Sequence, residues 1–267
     1  MTTEKPKPVF SLITVTLNNL EGLKRTYESV AKQTRQNFEW IVIDGASTDG
    51  TVEYLIELQK KHEYLLYSSE EDDGIYHAMN DGIKASTGDY LLFLNAGDQL
   101  ANPKILEKIE PYATKEPDFI YGDSLETSST KKGKSFYKQA KRYKDMPWGM
   151  ITHHQAMLYR RKLIRDYKLW YRQVYSIAAD YDFTLRFLQN AKKITAISAP
   201  ICIFESGGIS QKKAFEGRRQ QFIIRENLRL VPQGKNVGIF LAQSAVWYFR
   251  SLLPSLYERL KSGKSMI

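Results

Sequence analysis

Cysteine is almost absent: Cys202 is the one thiol in 267 residues. No internal disulfide can staple the chain, and a reducing compartment is the expected setting. Between Ile201 and Ile203, that thiol reads as a buried structural group rather than a nucleophile. Hydrophobic runs are short. The uncharged stretch NVGIFLAQSAVWYF at 236–249 has 14 residues, fewer than the ~20 a helix needs to span a bilayer. The opening MTTEKPKPVF lacks the apolar core of an export signal, so no export is expected. Internal repeats and low-complexity tracts are also missing. Acids are scarce in the second half: residues 131–267 hold 27 Lys and Arg against 8 Asp and Glu, a balance of +19. Residues 1–130 hold 12 against 22, a balance of −10. A nucleic-acid binder would be coated in positive charge throughout, whereas this polarity points to different partners at the two ends and to no nucleic acid.

What is present is an ordinary globular composition, 42% hydrophobic and 26% charged, in a chain long enough for one α/β domain and a C-terminal appendage. The expected division is a domain over 1–234 and a helical tail over 235–267. Apolar β-rich runs at 9–17 (VFSLITVTL), 39–44 (EWIVID), 64–67 (YLLY) and 90–94 alternate with helical patterns, one of them at 75–85. That alternation predicts a mostly parallel sheet flanked by helices. Further on the pattern predicts a strand at 119–121 ending in a Gly-Asp turn. A basic hairpin follows at 131–144, with helices at 160–168, 180–190 and 214–230 and a strand at 194–204. In parallel α/β sheets ligands bind beyond the carboxyl ends of the strands. Asn18, Asp44 and the segment Asn95–Asp98 all fall there.

Each polar cluster has a chemical and a structural reading. In DGASTDGT (44–51), Asp44 can accept a hydrogen bond from a nucleobase N–H, and the following helix start offers free backbone donors. Ser47 and Asp49 can equally serve as helix caps. In FLNAGD (93–98), an acid at a strand end suits Mg2+, which takes few protein ligands and fills its shell with water and phosphate oxygens; an ordinary turn is the alternative. In AADYDFTLRF (178–187), two acids two residues apart cannot share a helix face. One can point into a cleft as a general base while the other caps or pairs. His153 and His154 point in different directions on any regular element, so one metal held by both is not expected.

Taken in order, VTLNN, EWIVIDGASTDGT, SEEDDGIYHAMNDGIKASTGDYLLFLNAGD, THHQAMLYRR, AADYDFTLRF and FESGGIS resemble glycosyltransferase family 2, of the GT-A fold. Within it they resemble the subgroup that assembles exopolysaccharide, O-antigen and colanic-acid-type repeats. The resemblance spans about residues 9–212. It implies a metal-dependent inverting hexosyltransferase that carries a sugar from a nucleotide-sugar donor, a UDP-sugar favoured, to a hydroxyl of a glycan or lipid-linked acceptor. It implies that Asp44 binds the base with Thr16 and Asn18 beside it. Asp72, Gly74, Asn80 and Asn95 would line the donor site, Asp180 would be the catalytic base, and His154 and Gln155 would face acceptor or diphosphate. The family's metal motif has Asp at its first and third places, where this sequence has Asn95 and Gly97. Asp98 is left to hold Mn2+ or Mg2+. His77 stands where the subgroup more often has Asp.

In the tail, Ile239, Ala242, Val246, Phe249, Leu253, Leu256 and Leu260 fall on one stripe at helical spacing. Trp247 and Tyr248 lie alongside, with Arg250, Arg259 and Lys261 close by and Pro254 expected to kink the helix. This pattern suits a helix lying on an anionic lipid surface, and equally a helix packed on the domain or on a second subunit. The expected location is the inner face of the cell membrane, peripheral and cytoplasmic. A sugar nucleotidyltransferase would need a glycine-rich phosphate loop after the first strand, which VTLNNLEG does not supply. A non-catalytic adaptor would explain the basic half but leaves the strand-end acids without a purpose.

Overall fold

The run FSLITVT is apolar on both alternating faces, and as β1 (Phe10–Thr16) it is buried along its whole length. This is what a central strand covered by helices on both sides requires. The computed structural model describes residues 7–127 and 135–253, and within them β1 sits inside a sheet of nine strands. After β1 come α1 (Leu20–Ala31), β2 (Phe38–Asp44), α2 (Thr51–Lys61), β3 (Leu65–Ser69), α3 (Ile75–Ala85) and β4 (Tyr90–Phe93). These are the elements that alternation predicts, and β3-β2-β1-β4 lie side by side and parallel.

The remaining elements are β5 (Gln99–Leu100), α4 (Ile105–Ala113), β6 (Phe119–Thr127), β7 (Ser135–Lys138), β8 (Met157–Arg160), α5 (Arg161–Asp166), α6 (Ala179–Asn190), β9 (Ile194–Glu205), α7 (Ile209–Lys212), α8 (Ala214–Asn227) and α9 (Gln233–Leu252). β8 enters antiparallel between β4 and β6, and β9 runs parallel to β6, so this half of the sheet is mixed. The turn expected at Gly122-Asp123 is instead a register irregularity inside β6, which continues to Thr127 along β9. Polar GDSLET keeps strand geometry because β9 and β7 supply partners on both edges. The expected hairpin at 131–144 is present in part, as β7 on β6; residues 131–134 lie outside the described residues.

Alternate residues of the strands feed two cores. Leu12, Trp40 and Val42 pack on one face with α1, α2 and α4, and Ile13, Ile41 and Phe93 on the other with α3 and α6. Cys202 is fully buried, and burial pushes its thiol well above the ordinary value, as befits an inert structural group. No helix among the described residues is long and apolar enough to cross a membrane.

The expected tail begins at α9, which packs against α8. Arg225 of α8 is fully buried and donates from Nε to Asn236 Oδ1 at 2.6 Å. Phe240 lies 5.5 Å from Phe222, and Trp247 5.8 Å from Phe215. The packing face therefore runs through Asn236, Ile239, Phe240 and Trp247. Of the stripe read from sequence, Ile239 is buried whereas Val246 and Leu253 remain exposed. The stripe was displaced because Asn236 and Phe240, one polar and one aromatic, hold the true interface. Pro254, Leu256, Arg259, Leu260 and Lys261 lie outside the described residues.

Candidate active site

The carboxyl ends of β1, β2 and β3 place Thr16, Asp44 and Ser69 side by side in register. Asp44 is buried, and its carboxylate accepts from Ser47 N at 2.9 Å, Ser47 Oγ at 2.5 Å and Ser69 Oγ at 2.6 Å. Asn18 joins the same turn: its Oδ1 accepts from Thr48 N at 2.8 Å and its own N–H donates to Ser47 Oγ at 2.7 Å. Asp49 caps, accepting from Leu20 N at 2.9 Å and Thr51 Oγ1 at 2.6 Å. Of the two expected caps Asp49 is the structural one, Ser47 gives its hydroxyl to Asp44 instead, and Asp44 is the buried acid at the strand end. Thr16 Oγ1 is buried with no hydrogen-bond partner among the described residues.

Asp72 closes over this turn, its Oδ2 3.0 Å from where a side chain at Gly45 would begin. Its Oδ1 accepts from Gly74 N at 2.7 Å. Gly74, at φ 103, turns the chain into α3 through a backbone conformation that only glycine adopts without strain. His77 Nδ1 accepts from Asp73 N at 3.3 Å, a local tie at the start of α3. Asn80 lies apart from the cleft: Tyr171 N donates to its Oδ1 at 2.8 Å, and its Nδ2 donates to Tyr171 O at 3.0 Å. It anchors α3 to the segment that leads into α6.

Beyond β4 opens a cavity of about 990 Å3. Of the polar residues singled out from sequence it collects Asn95, Asp98, His153, His154, Gln155 and Asp180, and Asn19 joins it to the Asp44 turn. Asp98 is buried there; its Oδ2 accepts from Gln155 Nε2 at 2.6 Å and its Oδ1 from Glu205 N at 3.0 Å. Loss of water outweighs these donors and pushes the carboxyl up to about 7. Gly97, one of the two places where the family has Asp, sits at φ 106, and a Cβ there would lie 2.6 Å from Glu205 Oε2. Glu205 fills that space and pairs with Arg25 at 2.7 Å. Gly97→Ala is expected to lower stability by about 1–3 kcal/mol through strain and displacement of this pair, read as a fall of the thermal midpoint. An unchanged midpoint would show that Glu205 yields without cost.

Asp180 lies in the first turn of α6, held from several sides. Tyr76, Tyr171 and Phe183 stack in series, with centroids 5.6 Å and 4.4 Å apart, and Tyr76 OH donates to Ile177 O at 2.9 Å. Gln220 Oε1 of α8 accepts from Ile177 N and Ala178 N, both at 3.0 Å, satisfying the backbone just before the helix. The two acids part as their spacing demands. Asp182 is fully buried and pairs with Arg186 at 2.7 Å and Arg172 at 3.6 Å. Asp180 lines the cavity and has no Lys or Arg partner among the described residues. Burial pushes its carboxyl up to about 6. The neighbouring His154 Nδ1 stands 3.8 Å from Asp180 Oδ2, and burial pushes that imidazole down to about 4. At neutral pH the pair is therefore an ionised carboxylate beside a neutral ring.

His153 lines the same cavity at a different wall, stacking on Phe204 at 4.2 Å and contacting Ser124 Oγ at 2.9 Å. The histidines diverge, as their adjacency requires. Sequence reasoning missed Glu205, Gln220 and Trp148, which lines the same cavity. For Glu205 a signal existed in Gly97, since a glycine in a motif position that elsewhere bears an acid asks what fills its space. For Gln220 and Trp148 no local signal existed.

Among the described residues no three acids, histidines or cysteines gather as a ready-made metal site. The cavity that Asp98 lines also holds Asn95 and Gln155, whose Oδ1 and Oε1 are buried oxygens with no partner among the described residues. One carboxylate and two neutral oxygens fit a divalent cation that takes most of its ligands from a diphosphate.

Residues 11–168 match the family model described as glycosyl transferase family 2. A "PGL/p-HBAD biosynthesis glycosyltransferase" of Mycobacterium bovis is 32% identical over 241 residues, covering 88% of each chain. Among solved structures, S. aureus TarS 1–349 in complex with UDP-GlcNAc superposes with a TM-score of 0.68 at 21% identity, over 91% of this chain and 75% of that one. The mannosyltransferase PcManGT of Pyrobaculum calidifontis, in complex with GDP-Man and Mn2+, does so with 0.60 at 16% identity, over 97% and 80%. The strand-end acids, the GT-A architecture and the match across more than half of the sequence agree: the chain is a glycosyltransferase and belongs to family 2.

Proposed function

We propose that the chain is an inverting hexosyltransferase that moves a sugar from a nucleotide-sugar donor to a hydroxyl of a glycan or lipid-linked saccharide in surface polysaccharide biosynthesis. The observation that carries this reading is Asp180, an acid without a cationic partner among the described residues, in the cavity shared with the Asn95–Asp98 loop. The donor base lies at Asp44, Thr16 and Asn18, with Asp72 and Gly74 closing over it. UDP is favoured, and UDP-GlcNAc and GDP-Man in the structural neighbours support a nucleotide sugar of this kind. Asn95 and Asp98 face the diphosphate, and His154 and Gln155 border the reacting centre.

In the transfer, the acceptor hydroxyl oxygen bonds to the anomeric carbon from the face opposite the leaving group. Its proton passes to the Asp180 carboxylate. The carbon–oxygen bond to the diphosphate breaks, its electron pair leaving with the nucleoside diphosphate, and the configuration inverts. Neutral His154 beside Asp180 neither competes for the proton at neutral pH nor adds positive charge that would weaken the base. A cation held at Asp98 with Asn95 and Gln155, Mn2+ or Mg2+, would neutralise charge on the leaving diphosphate; the Mn2+ in the mannosyltransferase neighbour supports that assignment. The enzyme works as a peripheral protein at the inner membrane face, reached through the exposed side of α9.

Asp98→Ala tests the donor and metal assignment. UDP binding measured by calorimetry should weaken at least ~10-fold in Mn2+ and lose its metal dependence, as expected when one of few protein ligands is removed. Equal UDP affinity with and without Mn2+ in the unsubstituted protein would overturn it.

A further inference from the structure

The cavity around Asp180 has a lining of two kinds. Toward the strand ends it is polar, with Asn19, Asn95, Asp98 and Gln155. Where the segment before β8 meets α9 it is apolar, with Trp148, Met150, Ala242 and Val246. These two pieces of chain are joined, for Gln243 Nε2 donates to Trp148 O at 3.0 Å. The joint sits next to the base: Tyr181 OH, one residue after Asp180, donates to Met146 O at 2.9 Å, and α8 holds the approach to α6 through Gln220.

Trp148 and Val246 keep 51% and 55% of their surface exposed although both line the cavity. Ala242 and Val246 recur at i and i+4 and so share one face of α9. An apolar track therefore leads from the base, past Trp148, to Ala242 and Val246 on α9. Beside Trp148, Gln243 Oε1 is a buried acceptor with no partner among the described residues. A nucleoside diphosphate has no use for such a wall, and a long glycan would need rows of hydrogen-bonding groups along it.

We propose that this track is the acceptor subsite, and that it takes an amphipathic acceptor whose apolar aglycone, an alkyl or aryl chain, lies over Trp148 and Val246. The acceptor's hydroxyl-bearing head reaches Asp180, and Gln243 Oε1 accepts a hydrogen bond from a second hydroxyl of that head. This assignment rests on the reading of Asp180 as the base and adds the class of acceptor. The chain length bound in the track, not a pattern of sugar hydroxyls, sets the preference among acceptors.

The test uses octyl glucoside below its micelle concentration, methyl glucoside and UDP as probes of the full chain, with Trp fluorescence and calorimetry as readouts. The octyl glycoside should bind saturably and at least ~10-fold more tightly than the methyl glycoside, a modest share of what seven buried methylenes can contribute. Val246→Asp should erase that difference and leave UDP affinity unchanged. Leu241→Asp, on another face of α9, should leave the difference intact. Equal binding of the two glycosides, survival of the difference in Val246→Asp, or its equal loss in Leu241→Asp would each overturn the proposal. Should Val246→Asp lose UDP as well, Trp148→Ala takes its place under the same criteria. Failure of the unsubstituted protein to bind UDP would instead sink the donor reading, and the glycoside comparison would still decide the track.

Discussion

Asp180→Asn is expected to lower sugar transfer ~10²-fold or more, the usual scale for loss of a general base, with donor affinity nearly unchanged. A second effect has the opposite sign. Burial holds the carboxyl at about 6 in the folded protein, above the ordinary 3.8. A group whose folded pKa is raised contributes stability that is fully present below the unfolded value and lost as pH rises through the folded one. Above pH ~6 the ionised Asp180 therefore weakens the fold, by up to about 3 kcal/mol before allowance for its solvent contact. The amide carries no such charge. At pH 8 the variant should melt several degrees higher than the parent, at roughly 2–4 °C per kcal/mol for a chain of this size, and the two should converge toward pH 4. In the parent, kcat/KM should fall on the acid side with a midpoint near pH 6 rather than near 4. A variant that loses UDP binding yet keeps its turnover would overturn the assignment.

The second large effect concerns the exposed side of α9. Val237, Leu241, Tyr248 and Leu252 recur at i, i+4, i+11 and i+15, and all are exposed, Leu241 at 61% and Leu252 at 75%. Exposed Lys212, Lys213, Arg229 and Lys235 lie on the same and adjoining elements. Leu241→Asp with Leu252→Asp should weaken sedimentation with phosphatidylglycerol vesicles by ~10²-fold or more, since each buried leucine contributes roughly 1.5–3 kcal/mol. Raising salt should weaken the parent's binding too, through the basic residues. UDP affinity should not change. Point substitution is more informative than removal of α9, because removal would strip buried Arg225 of Asn236 and uncover the apolar face of α8. Undiminished vesicle binding, or conversion of a dimer to monomers by the double variant, would make this face a contact between copies of the chain.

Much of this was legible in the sequence. Strand–helix alternation gives β1 to β4 with α1 to α3, and the helix over 75–85 appears with those bounds. The two acids of AADYD separate into a cleft residue and a paired one because positions two apart on a helix cannot face together. What escaped is what distant segments impose. GDSLET reads as a turn, yet pairing with β9 and β7 keeps it extended. α4 and β8 leave little periodic trace in short, mixed stretches. The meeting of Gly97 with Glu205 and the hold of Gln220 on the start of α6 are products of packing, with no local pattern to betray them. The tail's helix is plain, but its packing face runs through Asn236, Phe240 and Trp247 and keeps Ile239 of the apolar stripe while Val246 stays exposed.

α6 is buried at almost every position of its first two turns, while Asp44 to Gly50 and Asp72 to Gly74 are loops and the apolar track belongs to α9. Asp180, the proposed base, therefore rides on the most deeply buried of these pieces, and the groups proposed to choose the two substrates ride on others. Descent with change can retune either choice without disturbing the chemistry, so a scaffold of this kind can diversify its products by altering one surface at a time.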